Sequence, residues 1–346
     1  MAADVNTKGQ ARRVLKPIDV NLLGIGVILD FPIYTRGEHD RRFTLLQGPR
    51  RPFSKSVYRR IQEDFGGRAY IYPHHVPSFQ KSAQATLTYV FADSAKSPEE
   101  KVQALMGRVE TELARVFDQS DSGKVPDFSE VSVYARHVTK LLECEAGSRT
   151  QLILESLRQN NSLPVHCLQV CMYGMMLVSR YFPEFNENQR EEIALGFLCH
   201  DIGKVQVSAS IIEKLGKLNA LEWQILHQVP DQGVGILKEW GIEKGLALDV
   251  VQSHREHYDG SGYPKRLKGR KIPLVARVCC IVDAFSSLTT RKPYRMALLP
   301  YDACWVMDVE NRGHYDPSLL KLFVDMMTSD GTLEREVPSE DQEAAG

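Results

Sequence analysis

The sequence contains no long hydrophobic segment. No apolar run approaches the roughly 20 residues that a helix needs to cross a bilayer. The best candidate, residues 22–33, is interrupted by Asp30 and Pro32. Residues 1–13 are polar and lack the apolar core of a secretion signal. These absences argue against a membrane-spanning or exported protein, and we expect a cytoplasmic location.

The sequence also lacks an excess of charge of one sign, and it lacks closely paired cysteines. The formal net charge is −1, from 43 basic and 44 acidic residues, so no overall field attracts nucleic acid. A local basic cluster within residues 41–60 is more typical of a solvated face than of a binding patch. The seven cysteines include no Cys-x-x-Cys pair, which disfavours a disulfide framework or a zinc knuckle. A reducing compartment fits this cysteine usage.

The character of the sequence changes several times along the chain. β-forming runs and glycine-rich turns come first, interrupted by one helix with Ser54 at its N-cap. A helix then begins near Pro98, with apolar residues at helical spacing, and helical patterns continue to the acidic tail. We predict a mainly α protein, with an all-α helical C-terminal domain preceded by a small β-rich domain and linking helices. The predicted segments are a flexible arm, an accessory or sensor-like domain, linking helices that could form a dimer, the helical domain and a disordered tail, at residues 1–15, 16–95, 96–150, 151–328 and 329–346.

The clearest chemistry lies in the stretch Cys-His-Asp-Ile-Gly-Lys that ends at Lys204. His200 and Asp201 offer an imidazole and a carboxylate to a divalent metal at the end of an apolar helix. His166 and Asp283 lie in two other apolar helical stretches. A single histidine on such a helix is usually a hydrogen-bonded core residue. Buried imidazoles and carboxylates are costly unless they are coordinated or paired, so the repeated pattern favours a metal site. A mixed nitrogen and oxygen set suits Mn, Fe, Ni or Zn.

The order of these residues resembles a known family. His166 and the His200–Asp201 pair are followed by His254, by the segment Asp-Gly-Ser-Gly-Tyr-Pro at residues 259–264, and by Asp283. This order resembles the HD-GYP family, whose members are HD-superfamily metal-dependent phosphohydrolases that act on cyclic di-GMP in bacterial signalling. The resemblance spans residues 155–328, about half of the chain. It implies a phosphodiesterase that opens cyclic di-GMP to pGpG or GMP.

The resemblance also implies roles for individual residues. Asp201 and Lys204 would be catalytic. The implied metal ligands are His166, His200, Asp201, His254 and Asp283. The implied substrate-binding residues are Lys204, Arg255, Asp259, Gly262, Tyr263, Pro264 and Arg295.

Several positions depart from the family pattern. The family usually has two adjacent histidines where this chain has His254 and Arg255, and a further histidine where it has Val229. The usual Asp-Ala-Leu segment begins here with Ser286. His227 precedes Val229 by two residues, about 200° away on a regular helix, so we expect it to face elsewhere. The second metal would lose two ligands, and we expect one metal rather than two. Arg255 either replaces the lost cation as a phosphate anchor or simply fills its space.

The sequence is compatible with two main classes of function. The first is an active cyclic di-GMP phosphodiesterase that works through a single-metal site. The second is a catalytically inactive module that binds cyclic di-GMP as a receptor, or docks a signalling partner protein on the Gly-Tyr-Pro loop. A third interpretation, a related phosphohydrolase acting on another nucleotide, is disfavoured by the intact loop. We expect neither nucleic acid nor a membrane as a partner, and we leave a homodimer open.

Overall fold

The computed structural model describes most of the chain, in two compact units, Met1–Ser97 and Pro98–Gly346. The predicted mainly α fold class is confirmed. Arg295 and nearly all of the predicted arm and tail lie outside the described residues. The domain boundaries predicted above stay predictions. The described residues are 15–18, 20, 23–37, 42–79, 81–82, 97–118, 131, 134–139, 162–212, 214, 216–291 and 296–329.

The N-terminal unit contains two small antiparallel sheets and a short helix. One sheet has the strand order β1-β6-β3-β4, and in the other β2 pairs with β5. Helix α1, Lys55–Phe65, begins where the predicted N-cap Ser54 accepts a hydrogen bond from the amide of Val57. It ends at Gly66, which adopts the left-handed conformation with φ of 57°. The strands are β1 Lys16–Ile18, β2 Ile28–Leu29, β3 Ile33–Thr35, β4 Thr44–Gln47, β5 Arg51–Pro52 and β6 Ala69–Ile71.

The C-terminal unit is helical throughout the residues that the structure describes. Short 3₁₀ helices at Ile202–Gln206 and Gly269–Lys271 and a π-helical turn at Val306–Glu310 connect its longer elements. Among the described residues, no helix combines the length and apolar character needed to cross a membrane. The helices are α2 Pro98–Asp118, α3 Leu163–Tyr181, α4 Glu187–Cys199, α5 Ala209–Ile212, α6 Ala220–His227, α7 Val229–Glu239, α8 Leu246–Ser253, α9 Leu274–Thr289, α10 Pro300–Trp305 and α11 Pro317–Ser329.

Helix α3 is the centre of this unit. It is apolar on nearly every side, and α4, α9 and α2 all pack against it. A helix that is hydrophobic all round is a buried helix. The crossing with α4 is close at Gly174, where an added Cβ would lie 2.4 Å from the ring of Phe197. This approach fixes the position of α3 relative to the C-terminal end of α4, and the candidate site is built there.

Candidate metal centre

Two of the predicted ligands are histidines at helix C-termini. His200 follows α4 and His254 follows α8. The last carbonyls of a helix lack intrahelical partners, and each imidazole meets one of them. The Nδ1 atom of His200 lies 2.8 Å from the carbonyl oxygen of Phe197, and that of His254 lies 3.0 Å from that of Val251. A carbonyl only accepts hydrogen bonds, so Nδ1 carries the proton in both rings and Nε2 is left to act as a ligand.

The third histidine is held by a buried chain of hydrogen bonds from α3 to α9. The Nδ1 atom of His166 lies 2.9 Å from Oγ of Ser286, and that hydroxyl donates to Oε1 of Gln169 at 2.8 Å. Because the amide oxygen only accepts, the Ser286 oxygen is free to accept the Nδ1 proton of His166. The Nε2 atom of His166 then faces the carboxylates. Such outer contacts fix the tautomer and orientation of a ligating histidine.

One oxygen from each carboxylate faces the pair His166 and His200. The Nε2 atom of His166 lies 3.0 Å from Oδ1 of Asp283 and 3.9 Å from Oδ2 of Asp201. The Nε2 atom of His200 lies 3.3 Å from Oδ2 of Asp201 and 3.9 Å from Oδ1 of Asp283. An ion with bonds of about 2.0–2.2 Å in a tetrahedron holds its ligand atoms about 3.4 Å apart. The separations of 3.0–3.9 Å between the two histidine nitrogens and these carboxylate oxygens are close to that spacing.

The other oxygen of each carboxylate faces Arg255. One guanidinium nitrogen, Nη2, lies 3.1 Å from Oδ1 of Asp201, and the other, Nη1, lies 3.0 Å from Oδ2 of Asp283. The fork of Arg255 thus bridges the two carboxylates, a geometry for which arginine is suited. Lys204 adds a second cation, with Nζ 2.6 Å from Oδ2 of Asp201. Two side-chain cations therefore face two carboxylates.

Burial and these cations set the protonation of the carboxylates. Burial alone would raise the pKa of Asp201, but Lys204 and Arg255 hold it well below its ordinary value. Burial acts in the same direction on Asp283, and Arg255 together with His166 and His200 lowers its pKa more than burial raises it. Both groups are therefore carboxylates at neutral pH and can bind a cation.

Buried nitrogen atoms without partners indicate that the candidate site fits a metal ion. Among the described residues, the Nε2 atoms of His200 and His254 are buried and have no hydrogen-bond partner. A buried polar atom without a partner is unfavourable, and an ion would satisfy it. Donor atoms of His166, His200 and Asp201 all lie within 4.8 Å of one another. These donor atoms lie on the His166 side, while Arg255 occupies the His254 side.

The Gly-Tyr-Pro loop packs directly on the segment that carries Arg255. An added Cβ at Gly262 would lie 2.5 Å from the carbonyl oxygen of Arg255, so only glycine permits this approach. The buried carboxylate of Glu256 accepts from the amides of Lys265 and Leu267 at 2.7 and 2.9 Å. The loop therefore fixes the backbone from which the Arg255 side chain extends.

Other predicted loop residues have structural contacts of their own. Asp259 accepts a hydrogen bond from the amide of Ser261 at 2.8 Å, and the peptide bond between Tyr263 and Pro264 is cis. The ring of His227 stacks on Tyr263 with centroids 4.2 Å apart. The substrate-binding roles of Asp259, Gly262, Tyr263 and Pro264, and that of Arg295 beyond the described residues, stay predictions.

A cavity of about 250 Å³ opens beside the guanidinium of Arg255. The sequence interpretation assigned no role to three of its polar lining residues, His257, Asn311 and Tyr315. Asn311 and Tyr315 lie after the π-helical turn, far along the chain from the Gly-Tyr-Pro loop, and no motif marks them. The described residues that line the cavity are His254, Arg255, His257, Cys280, Asp283, Ala284, Ser287, Leu288, Asn311 and Tyr315.

Comparisons with known proteins agree with this geometry. Residues 180–319 match the model of the HD domain family. The chain is 31% identical over 161 residues to 3'3'-cGAMP-specific phosphodiesterase 2 of Vibrio cholerae, covering 46% of this chain and 30% of that protein. It is 32% identical over 160 residues to cyclic di-GMP phosphodiesterase PA4108 of Pseudomonas aeruginosa, covering 46% and 38%. The chain thus spans well under half the length of these relatives.

A solved structure extends the likeness to the fold. Bd1817, a HDG"Y"P protein from Bdellovibrio bacteriovorus, superposes with a TM-score of 0.65 over 91% of this chain and 100% of its own, at 15% identity. At this identity the likeness concerns the fold alone. Residues 180–319 of the C-terminal unit are thus similar to the HD domain family, and the order of the site residues resembles that of HD-GYP proteins.

Proposed function

We propose that this chain is a metal-dependent phosphodiesterase that hydrolyses cyclic di-GMP to pGpG or GMP, with one bound divalent ion. The observation that supports it most is the cluster of donor atoms from His166, His200 and Asp201 within 4.8 Å of one another, with Oδ1 of Asp283 3.0 Å from Nε2 of His166. Relatives about 30% identical are named as cyclic dinucleotide phosphodiesterases. Those four residues would hold the ion. When bound, the ion would polarise a phosphate oxygen and lower the pKa of a bound water.

In this proposal Arg255 takes the place of a second ion. Its guanidinium carries one positive charge and bridges Asp201, which a second ion would share, and Asp283. Guanidinium groups bind phosphate oxygens through paired N–H donors. Arg255 can therefore orient a phosphodiester and stabilise its developing charge, whereas it cannot activate a water. We accordingly propose weak turnover rather than full activity.

Lys204 supplies a further contact. Its ammonium lies 2.6 Å from Oδ2 of Asp201, an oxygen that an ion on the His166 side would also use. The two cations compete for that oxygen. An ion bound there would weaken the contact with Asp201 and leave Lys204 available to a phosphate oxygen of the substrate.

One observation favours a second candidate function, an inactive receptor for cyclic di-GMP. Lys204 and Arg255 already neutralise both carboxylates, so the site is electrostatically balanced without an ion. A balanced site would still present a guanidinium and an ammonium to phosphate. Such a module would bind the nucleotide without cleaving it.

One experiment separates these functions. Anaerobically purified protein is analysed for metal per chain and assayed with cyclic di-GMP after loading with Mn or Fe, beside His200→Ala and Asp201→Ala variants. The proposal expects about one ion per chain and turnover that both variants lose. Tight nucleotide binding without turnover would support the receptor instead. Equal turnover in the variants, or neither turnover nor binding, would contradict both.

A further inference from the structure

The cavity beside Arg255 has the size and lining of a subsite for one flat, polar-edged group. Pockets that bury a drug-sized ligand usually enclose about 300–1,000 Å³, whereas this cavity encloses about 250 Å³. It is too small for a whole cyclic dinucleotide and large enough for one of its bases. Ala284 and Leu288 of α9 supply apolar walls, and Asn311 and Tyr315 supply polar edges.

One wall of the cavity carries a braced aromatic ring. His257 lines the cavity, and its ring stacks on that of His314 with centroids 4.0 Å apart and an interplanar angle of 15°. Nδ1 of His257 also lies 2.9 Å from Oγ of Ser261. The ring is therefore fixed in orientation from two directions. A fixed aromatic ring suits stacking with any nucleobase, because every base has a π face.

The lining of the cavity also includes an amide. Asn311 and Tyr315 both line the cavity. An amide both donates and accepts, so it can contact the edge of a purine. Asn311 is placed at the end of the π-helical turn by a hydrogen bond from its backbone amide to the carbonyl oxygen of Val306.

We infer that this cavity is a nucleobase subsite in which His257, braced by His314, stacks on a purine and Asn311 contacts the edge of that purine. The inference rests on the proposed function for the identity of the nucleotide. Arg255 lines the same cavity and also bridges the two carboxylates, so a phosphate held by its guanidinium places the attached nucleoside next to His257. Base recognition and phosphate binding are then coupled through one residue.

The test compares two ligands that differ only by the base. Dissociation constants are measured for GMP and for ribose 5-phosphate, with full-length protein and without any need for catalysis. Stacking of one base contributes about 5- to 150-fold in affinity. We expect the intact protein to bind GMP tighter by a factor in this range, His257→Ala to bring the ratio close to one, and His257→Phe to keep it. Asn311→Ala should lower GMP affinity and leave ribose 5-phosphate unchanged.

The results that would contradict the inference differ from those that would contradict the proposed function. Equal affinities for the two ligands in the intact protein, or an unchanged ratio in His257→Ala, would remove the base subsite even if cyclic di-GMP is hydrolysed. If cyclic di-GMP is not hydrolysed but the ratio falls in His257→Ala and persists in His257→Phe, the enzyme proposal fails and the subsite stands. If His257→Ala binds neither ligand because it is unfolded, Asn311→Ala decides by the same ratio, an unchanged one overturning the subsite.

Discussion

The two sides of the carboxylate pair receive positive charge in different ways. On one side, Asp201 and Asp283 face two imidazole nitrogens at distances that suit an ion. On the other side, the same two residues face a guanidinium that is part of the chain. The difference shows that the negative charge of two buried carboxylates can be balanced by a bound ion or by a side-chain cation. Only the ion also acts as a Lewis acid, so the two solutions differ in chemistry while they agree in electrostatics.

The largest effect should follow from Asp201→Asn, which alters both sides at once. The substitution leaves Arg255 and Lys204 without their shared carboxylate and removes a ligand from the His166 side. We expect bound metal to fall to well below one ion per chain. Removing one partner from a buried ion pair costs about 3–5 kcal/mol of stability, less here because Lys204 and Arg255 are partly exposed.

Metal analysis and chemical unfolding of the Asp201→Asn variant measure these two losses. Asp316→Asn is a suitable control because Asp316 forms a buried pair with Arg277 elsewhere in the same unit. The control should lose stability and keep its metal. Retention of the metal by Asp201→Asn would show that Asp201 is not a ligand.

The second effect concerns the backbone that presents Asp201. An added Cβ at Gly203 would lie 2.0 Å from the carbonyl oxygen of Val229, so the loop after Asp201 must shift in Gly203→Ala. We expect a loss of about 1–3 kcal/mol in stability and weaker metal binding, because overpacking displaces the backbone. Gly235→Ala in α7 is the matched control, since nothing lies within 4 Å of its added Cβ. It should be neutral or stabilising, by up to about 1 kcal/mol.

Gly203 and Gly235 also show which features of the fold cannot be predicted from the sequence alone. The Cys-His-Asp-Ile-Gly-Lys stretch, His166 and Asp283 were selected from local pattern, because buried imidazoles and carboxylates stand out in apolar helices. The close approach of Gly203 to Val229 depends on how two elements pack, and no local pattern encodes it. The N-cap at Ser54 was found because a cap is a local signal.

Arg255 shows the same limit of sequence-based prediction within the candidate metal site. The sequence predicts that Arg255 stands where the resembled family has a histidine, and it leaves open whether the guanidinium binds or merely fills space. Its bridging contacts to Asp201 and Asp283 depend on the positions of α8, α4 and α9 together. Likewise, Asn311 and His257 meet in a cavity although 54 residues separate them in the chain. Long-range packing of this kind requires the structure.

The third prediction concerns the hydrogen bonds that hold the His166 ring in position. Ser286→Ala removes the acceptor for the Nδ1 proton of His166, and with it the link to Gln169. Loss of such an outer contact typically lowers metal affinity about 10- to 100-fold. Competition with a chelator measures the affinity directly. Thr289→Ala is the control, because its hydroxyl donates to the carbonyl oxygen of Phe285 at 2.8 Å and is hydrogen-bonded to neither His166 nor Gln169. Equal affinities in both variants would contradict a role for Ser286.

A double substitution on the Arg255 side should sharpen the comparison most. Arg255→His combined with Val229→His removes the guanidinium and restores imidazoles at the two positions where the family usually has them. With Oδ1 of Asp201 released and Nε2 of His254 3.6 Å from it, the second side would hold an ion. We expect bound metal to rise from about one to about two ions per chain and turnover of cyclic di-GMP to increase. Arg255→Lys, which keeps the charge without the fork, should stay at one ion. An unchanged metal content in the double variant would mean that packing around the buried Val229, rather than ligand identity, now excludes the second ion.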